Sequence, residues 1–245
     1  MPLELSTDQR VAALNARFAP HDAATVMELA MCDRQLGRIT LVSSFGAESV
    51  VLLHLLAQLD RALPVLFIDT EMLFPETLAY QRDVTEWLGL TNVQTIRADA
   101  ATIRARDPMR ALRLTDPDAC CALRKTAPLQ AALASYDTWV NGRKRFQGSS
   151  RARLNYVEAD AAGRIKINPL VHWSTADLQG YMTQHDLPRH PLVAKGYPSI
   201  GCAPCTTRVR DGEDPRAGRW RDQAKDECGI HIVDGKVVPI QSSAA

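Results

Sequence analysis

Four short runs constrain this chain more than any other feature. Ile39-Thr40-Leu41-Val42, Val65-Leu66-Phe67-Ile68, Val93-Gln94-Thr95-Ile96 and Thr138-Trp139-Val140 are rich in β-branched and aromatic residues, and helical stretches separate them. The second run is apolar at every position, so it has no face to show to water and reads as a strand covered on both sides. Residues 164–167 supply a further short strand. Strands alternating with helices imply an α/β fold, a parallel twisted sheet with helices on both faces. Ligands of such sheets gather beyond the carboxyl ends of the strands, where this sequence carries Ser43, Ser44, Asp69, Thr70, Asn141 and Gly142.

The first strand runs into Ser43-Ser44-Phe45-Gly46-Ala47-Glu48-Ser49, and helical spacing resumes from Val50 to Asp60. A loop of small residues at a helix N-terminus can turn hydroxyls and backbone N–H groups toward an anion, where the helix dipole also favours negative charge. With one glycine and no lysine, it is not the G-x-x-x-x-G-K-[ST] loop. The second strand ends at Asp69-Thr70, and Pro75 opens the helix that follows.

Charge distribution narrows the ligand. A net charge of +1 on 245 residues creates no global field for a polyanion. The cations are nevertheless clustered: Arg143, Lys144, Arg145, Arg151 and Arg153 form one group, and Arg208, Arg210, Arg216, Arg219 and Arg221 another. Local basic clusters on a neutral chain suit a small anion better than a nucleic-acid duplex. Met1 to Arg10 carries Glu4, Asp8 and Arg10 in place of a secretory apolar segment. The longest apolar run, Val50 to Leu59, is broken by His54 and Gln58 and is too short to span a bilayer. The expectation is a soluble cytoplasmic protein without nucleic-acid or membrane partners. With 46% hydrophobic residues it forms a single domain over 1–245, comprising a core at about 38–200 and a cysteine-bearing catalytic tail at about 201–245. A homo-oligomer is compatible with this reading.

Four of the six cysteines fall into two groups, the adjacent pair Cys120-Cys121 and the C-x-x-C Cys202-Ala203-Pro204-Cys205. Four thiolates can hold a tetrahedral zinc ion or an iron–sulfur cluster. Structural zinc takes cysteines two to four residues apart, because a small loop must bring both sulfurs to one ion at about 2.3 Å. Adjacent cysteines reach separate corners of a cluster more readily, so the spacing favours a cluster over zinc. A redox C-x-x-C is a third reading, and it leaves Cys120 and Cys121 unexplained. Cys32 has no partner at motif spacing and reads as structural. The remaining cysteine lies in Glu227-Cys228-Gly229-Ile230-His231 and is the candidate nucleophile. A free thiol near pKa ~8.5 offers only a few per cent thiolate at neutral pH, and the preceding arginines with His231 could raise that fraction. The competing reading is a buried, inert Cys228.

In order along the chain, the loop 43–49, Asp69-Thr70-Glu71-Met72-Leu73-Phe74-Pro75-Glu76-Thr77, Cys120-Cys121 with Arg124-Lys125, Gly142-Arg143-Lys144-Arg145, Gly201-Cys202-Ala203-Pro204-Cys205, Asp214-Pro215-Arg216-Ala217-Gly218-Arg219-Trp220 and the Cys228 motif carry a resemblance. Together they make the chain similar to the assimilatory adenylyl-sulfate (APS) reductases of the wider APS/PAPS reductase family. The resemblance implies a fold like that of ATP pyrophosphatases, with adenylyl sulfate over the strand ends. It implies that Cys228 attacks the substrate's sulfur, releases AMP and becomes S-sulfocysteine, which thioredoxin reduces to free sulfite. One 4Fe-4S cluster per chain would sit on Cys120, Cys121, Cys202 and Cys205, as in the APS-using branch. Substrate contacts carried over by motif are Ser43, Ser44, Gly46, Ser49, Asp69, Lys125, Arg143, Arg151, Arg216, Arg219 and His231. Two positions depart from the family pattern: Phe146 stands where an aspartate is common, and Arg221 where a second tryptophan is. Three other readings remain: a PAPS reductase, a nucleotide hydrolase or adenylyltransferase of the same fold, and a zinc-stabilised nucleic-acid-binding module.

Overall fold

The structure is a computed structural model that describes residues 5–148 and 151–221. Its centre is a six-stranded sheet built from β1 (Ile39–Ser43), β2 (Val65–Ile68), β3 (Val93–Ile96), β4 (Thr138–Val140), β5 (Val157–Ala159) and β6 (Ile165–Ile167). The spatial order is β3-β2-β1-β4-β6-β5. All neighbours run parallel except β5, which pairs antiparallel with β6 in the register Val157↔Ile167. The sequence reading missed β5, for a local reason: it is a three-residue edge strand, half-exposed along part of its length and containing Glu158. The sheet is therefore mixed at one edge and parallel elsewhere.

Strand alternation distributes the core. Val65 and Phe67 point into the larger apolar cluster, whereas Leu66 and Ile68 point into the smaller one on the other face. The larger cluster is packed by α1 (Thr7–Phe18), α2 (Ala23–Cys32), α3 (Ser49–Leu59), α4 (Pro75–Leu88) and α9 (Thr175–Gln184). Helix α3 is buried along almost its whole length, from Val50 to Ala57, which explains its largely apolar sequence. The opposite face is covered by α8 (Ala127–Leu133), whose Leu129 and Leu133 meet Trp139. Each fully buried Leu or Phe contributes about 1.5–3 kcal/mol of transfer free energy, so this two-sided burial holds the strand ends in fixed places.

The short helices α5 (Ala100–Arg106), α6 (Leu112–Thr115) and α7 (Pro117–Cys121) lead into a π-helical turn, Ala122–Thr126, just before α8. The segment after Ile200 is fastened across the carboxyl ends of the strands. Antiparallel bridges join Leu73 to Cys202 and Thr206 to Arg219. The Ala203 N–H donates to the Met72 carbonyl at 2.8 Å, Thr207 N–H to the Gly218 carbonyl at 2.8 Å, and Trp220 N–H to the Cys205 carbonyl at 3.1 Å. A Cβ at Gly218 would lie 2.2 Å from the Thr207 carbonyl oxygen, so this crossing requires glycine. No helix among the described residues is long and apolar enough to cross a membrane.

Candidate functional site

The strand order reverses between β1 and β4, and a crevice opens there. It holds a cavity of about 250 Å³. One wall is the loop that leaves β1. Phe45 adopts φ 47, in the left-handed region that costs a bulky residue roughly 1–3 kcal/mol. Its ring is fully buried against Phe67 at a centroid distance of 5.2 Å. This conformation turns Phe45 down into the core while Ser43, Ser44, Gly46 and Ser49 line the cavity above. The Phe45 N–H donates to Ser43 Oγ at 3.1 Å and the Gly46 N–H to Ser49 Oγ at 3.0 Å, which fixes one hydroxyl at the end of β1 and the other at the N-terminus of α3. That helix end favours an anion.

The wall beyond β4 supplies cations. Lys144 is buried and its Nζ meets Glu48 Oε2 at 2.7 Å, while Gln147 Nε2 donates to the same oxygen at 2.8 Å. Burial pushes the Lys144 ammonium below its usual pKa against the opposing pull of Glu48. The Arg143 guanidinium pairs with Glu158, and Arg151 donates to Gln147 Oε1. Lys125 enters from the π-helical turn, in which its neighbour Arg124 is buried in the protein. Arg216 and Arg219 arrive with the segment that crosses the strand ends. Arg219 lies over Gly201, donates Nη1 to the Ile200 carbonyl at 3.3 Å and stacks on Trp220 at 4.4 Å. Its buried Nε has no hydrogen-bond partner among the described residues.

Six cationic side chains therefore line the cavity, Lys125, Arg143, Lys144, Arg151, Arg216 and Arg219, against the carboxylates Glu48 and Asp214. On a chain of net charge +1 this is a strong local concentration, suited to a small polyanion. Leu41, Val42, Leu52, Ile68, Leu73 and Trp139 add an apolar surface that a planar base could use.

The four clustered cysteines adjoin this cavity. All are free thiols, with Cys120 buried and Cys121, Cys202 and Cys205 half-buried. Burial pushes the Cys120 thiol up to about 11, helped by the negative fields of Cys121, Cys202 and Cys205 and opposed by Arg124. Burial likewise raises Cys205, helped by Cys202 and Cys121 and opposed by Lys125 and Arg219. Cys202 Sγ lies 3.1 Å from Thr70 Oγ1. The two pairs, far apart in sequence, thus share one electrostatic neighbourhood with two of the cavity's cations. Among the described residues no group of three or more His, Cys, Asp or Glu side chains stands ready to hold a single metal ion. An all-thiol donor set without carboxylate or imidazole fits soft-metal and iron–sulfur chemistry. The Cys120 and Cys205 thiols, whose pKa values are raised, would release protons on binding it.

Of the substrate contacts expected from sequence, Ser43, Ser44, Gly46, Ser49, Lys125, Arg143, Arg151, Arg216 and Arg219 line the cavity. Asp69 does not. It stands at the same edge, but its buried carboxylate accepts from Arg97 Nε at 2.9 Å and from the Glu71 N–H at 2.9 Å. A buried carboxylate needs such partners, and Arg97 at the end of β3 supplies one. Cys228 and His231 lie outside the described residues. Sequence reasoning missed the pairing of Glu48 with Lys144, although both residues were visible in its motifs.

Residues 38–208 match the phosphoadenosine phosphosulfate reductase domain. An adenosine 5'-phosphosulfate reductase of Chelativorans sp. (strain BNC1) is 46% identical over 232 residues, covering 94% of each chain. A phosphoadenosine 5'-phosphosulfate reductase of Gloeobacter violaceus is 39% identical over 199 residues, covering 79% of this chain and 82% of its own. Among solved structures, a phosphoadenylyl-sulfate (PAPS) reductase of Candida auris, in a phosphate complex, superposes with TM-score 0.69 at 24% identity, covering 84% of this chain and 99% of that one.

Proposed function

Because this chain belongs to the family of the phosphoadenosine phosphosulfate reductase domain, we propose that it cleaves adenylyl sulfate reductively to sulfite and AMP. The observation that carries the reading is the sharing of Lys125 and Arg219 between an anion-sized cationic cavity and four clustered thiols. The adenosine would lie against the apolar surface and the phosphate at the N-terminus of α3, with the sulfonate facing Lys125, Arg216 and Arg219.

In the proposed reaction the Cys228 thiolate attacks the sulfonate sulfur. The bond from that sulfur to the bridging phosphate oxygen breaks, and AMP leaves with the electron pair. The cations offset the charge gathering on phosphate and sulfonate, a task for groups fixed before the reaction begins. Cys228 is left as S-sulfocysteine, so one hard step becomes two easier ones. A dithiol protein such as thioredoxin then attacks the Cys228 sulfur, and sulfite leaves with the electron pair. The reductant's second thiol resolves the mixed disulfide and regenerates Cys228, so two electrons pass from the dithiol to the substrate's sulfur, which leaves as sulfite. Cys120, Cys121, Cys202 and Cys205 would hold one 4Fe-4S cluster, which when bound supplies a fixed local charge beside Lys125. Lys125 orients the sulfonate.

The 39% relative named for the 3'-phosphorylated nucleotide keeps a second substrate in view. The test is sulfite release with thioredoxin as reductant, comparing kcat/KM for APS and PAPS. Preference for APS is the expected result. Equal or better use of PAPS overturns the choice of substrate, and AMP release without sulfite overturns the reductase reading in favour of a hydrolase.

A further inference from the structure

Outside the cavity, the two most exposed large apolar side chains of the described residues lie in one short stretch: Met109 at 84% and Leu114 at 73%. Single exposed hydrophobics are ordinary, but two maxima five residues apart are not random scatter. Arg104, Arg106, Arg110 and Arg113 flank them, and none makes an ion pair with a described residue. Of the acids on either side in sequence, Asp99 caps α5 and feels the field of Arg104, Asp116 caps α7, and Asp118, exposed in the first turn of α7, has contacts of its own.

The stretch is also held rigidly. Arg110 adopts φ 52, a left-handed turn, and its N–H donates to the Asp107 carbonyl at 3.0 Å. Asp107 in turn accepts from the Leu112 N–H at 3.1 Å and from buried Arg124 Nη2 at 3.0 Å. Both ends of that ion pair are 2% exposed, a setting where a charge pair is costly to break. A left-handed turn held by a buried ion pair presents a methionine to water. Arg124 belongs to the same π-helical turn as Lys125 and directly follows the Cys120-Cys121 helix. The patch is therefore tied to the thiol and cavity wall through one salt bridge.

We infer that the stretch from Arg104 to Leu114 is the docking face for an acidic protein partner, the dithiol protein that delivers the two electrons. This rests on the reductase reading above, which requires such a partner at every turnover. Arginine and methionine are enriched in interface cores, and apolar knobs set among cations match a protein surface with an apolar centre and an acidic rim. A nucleic acid would use the arginines but not the exposed Met109 and Leu114.

Two variants test it, Arg110→Glu with Arg113→Glu, and Met109→Ser with Leu114→Ser, with Arg34→Glu as a remote charge-reversal control. Thermal melts confirm folding, and three quantities are measured: the sulfonate adduct formed with APS alone, sulfite release driven by dithiothreitol, and sulfite release driven by thioredoxin. The expected result is a KM for thioredoxin raised roughly tenfold or more in both variants. Adduct yield and the dithiothreitol-driven rate stay as in wild type, and Arg34→Glu changes nothing. Thioredoxin kinetics within twofold of wild type overturn the docking inference, as does a parallel fall in the dithiothreitol-driven rate. Wild-type protein that forms no adduct with APS overturns the reductase reading itself, and the inference with it.

Discussion

Replacing Gly201 by alanine separates function from folding at one atom. The added Cβ would lie 2.4 Å from Arg219 Nη2, 2.6 Å from its Cζ and 3.1 Å from its Nε. Contact distances of about 3.5 Å or more are required, so the guanidinium must retreat by about 1 Å. It can do so, because it is the far end of a flexible side chain and Gly201 is not in the left-handed region. The fold loses the Arg219 to Ile200 hydrogen bond and the stacking on Trp220, each worth about 1 kcal/mol, and regains about 0.4–1 kcal/mol from the stiffer unfolded chain. The net cost is about 1 kcal/mol, or roughly 2–4 °C in Tm for a chain of this size. On the role proposed for Arg219 the functional cost is larger: a charge-assisted contact to the substrate's anionic end is worth about 1.5–3 kcal/mol, or roughly ten- to 150-fold in kcat/KM. Gly218→Ala should behave in the opposite way. Its Cβ would sit 2.2 Å from the Thr207 carbonyl oxygen and 3.2 Å from its carbon, and backbone cannot swing aside. That variant should lose its stability first, by about 1–3 kcal/mol. Parallel melting curves and APS-dependent sulfite release read both effects. A Gly201→Ala enzyme with wild-type kcat/KM, or a Gly218→Ala protein that melts like Gly201→Ala, would refute the reasoning.

Other outcomes follow from the same geometry. Cys228→Ser should retain APS binding and lose turnover, because a hydroxyl is hardly ionised near neutral pH; a peptide map after incubation with APS that finds the sulfonate on Cys32 or on no cysteine ends that assignment. Anaerobically purified protein should contain iron and sulfide with a broad absorption near ~400 nm, all lost on substitution of Cys120 or Cys205; near-stoichiometric zinc without iron contradicts the cluster. His190 is buried, faces Thr77 Oγ1 at 3.1 Å, and accepts from the Leu192 N–H at 3.2 Å. Burial pushes it down from 6.5 to about 4, opposed by Glu76. On acidification the unfolded chain takes up this proton first, so stability present above the unfolded value falls as pH drops from about 6.5 toward 4. His190→Asn should flatten that slope in denaturant titrations, and an unchanged slope argues against the assignment.

The sheet was legible because its central strands are covered on both sides. Val65 to Ile68 has no polar position to spare, and so short an apolar run ending at Asp69-Thr70 reads as a strand covered on both sides. The helix after Ser49 was legible from its largely apolar sequence, which only His54 and Gln58 interrupt. The grouping of the cysteines and of the basic residues was legible as well, and the structure brings the two cysteine pairs together beside two of the cavity's cations. The edge strand β5 was not legible, because its half-exposed surroundings leave no hydrophobic pattern to read.

Tertiary structure alone decided which charged groups are available. Asp69 and Arg143 look equivalent as polar residues beyond strand ends, yet Asp69 is taken by Arg97 while Arg143 keeps a place in the cavity wall beside its partner Glu158. Lys144 finds Glu48 from the far side of the switch point, and Arg124 turns inward to Asp107 while its neighbour Lys125 turns outward. Local sequence records what a side chain can do, because propensity and burial act over a few residues. Whether a charge is held by a partner or left facing a ligand depends on groups brought together across long loops, and that distance has no signature along the chain.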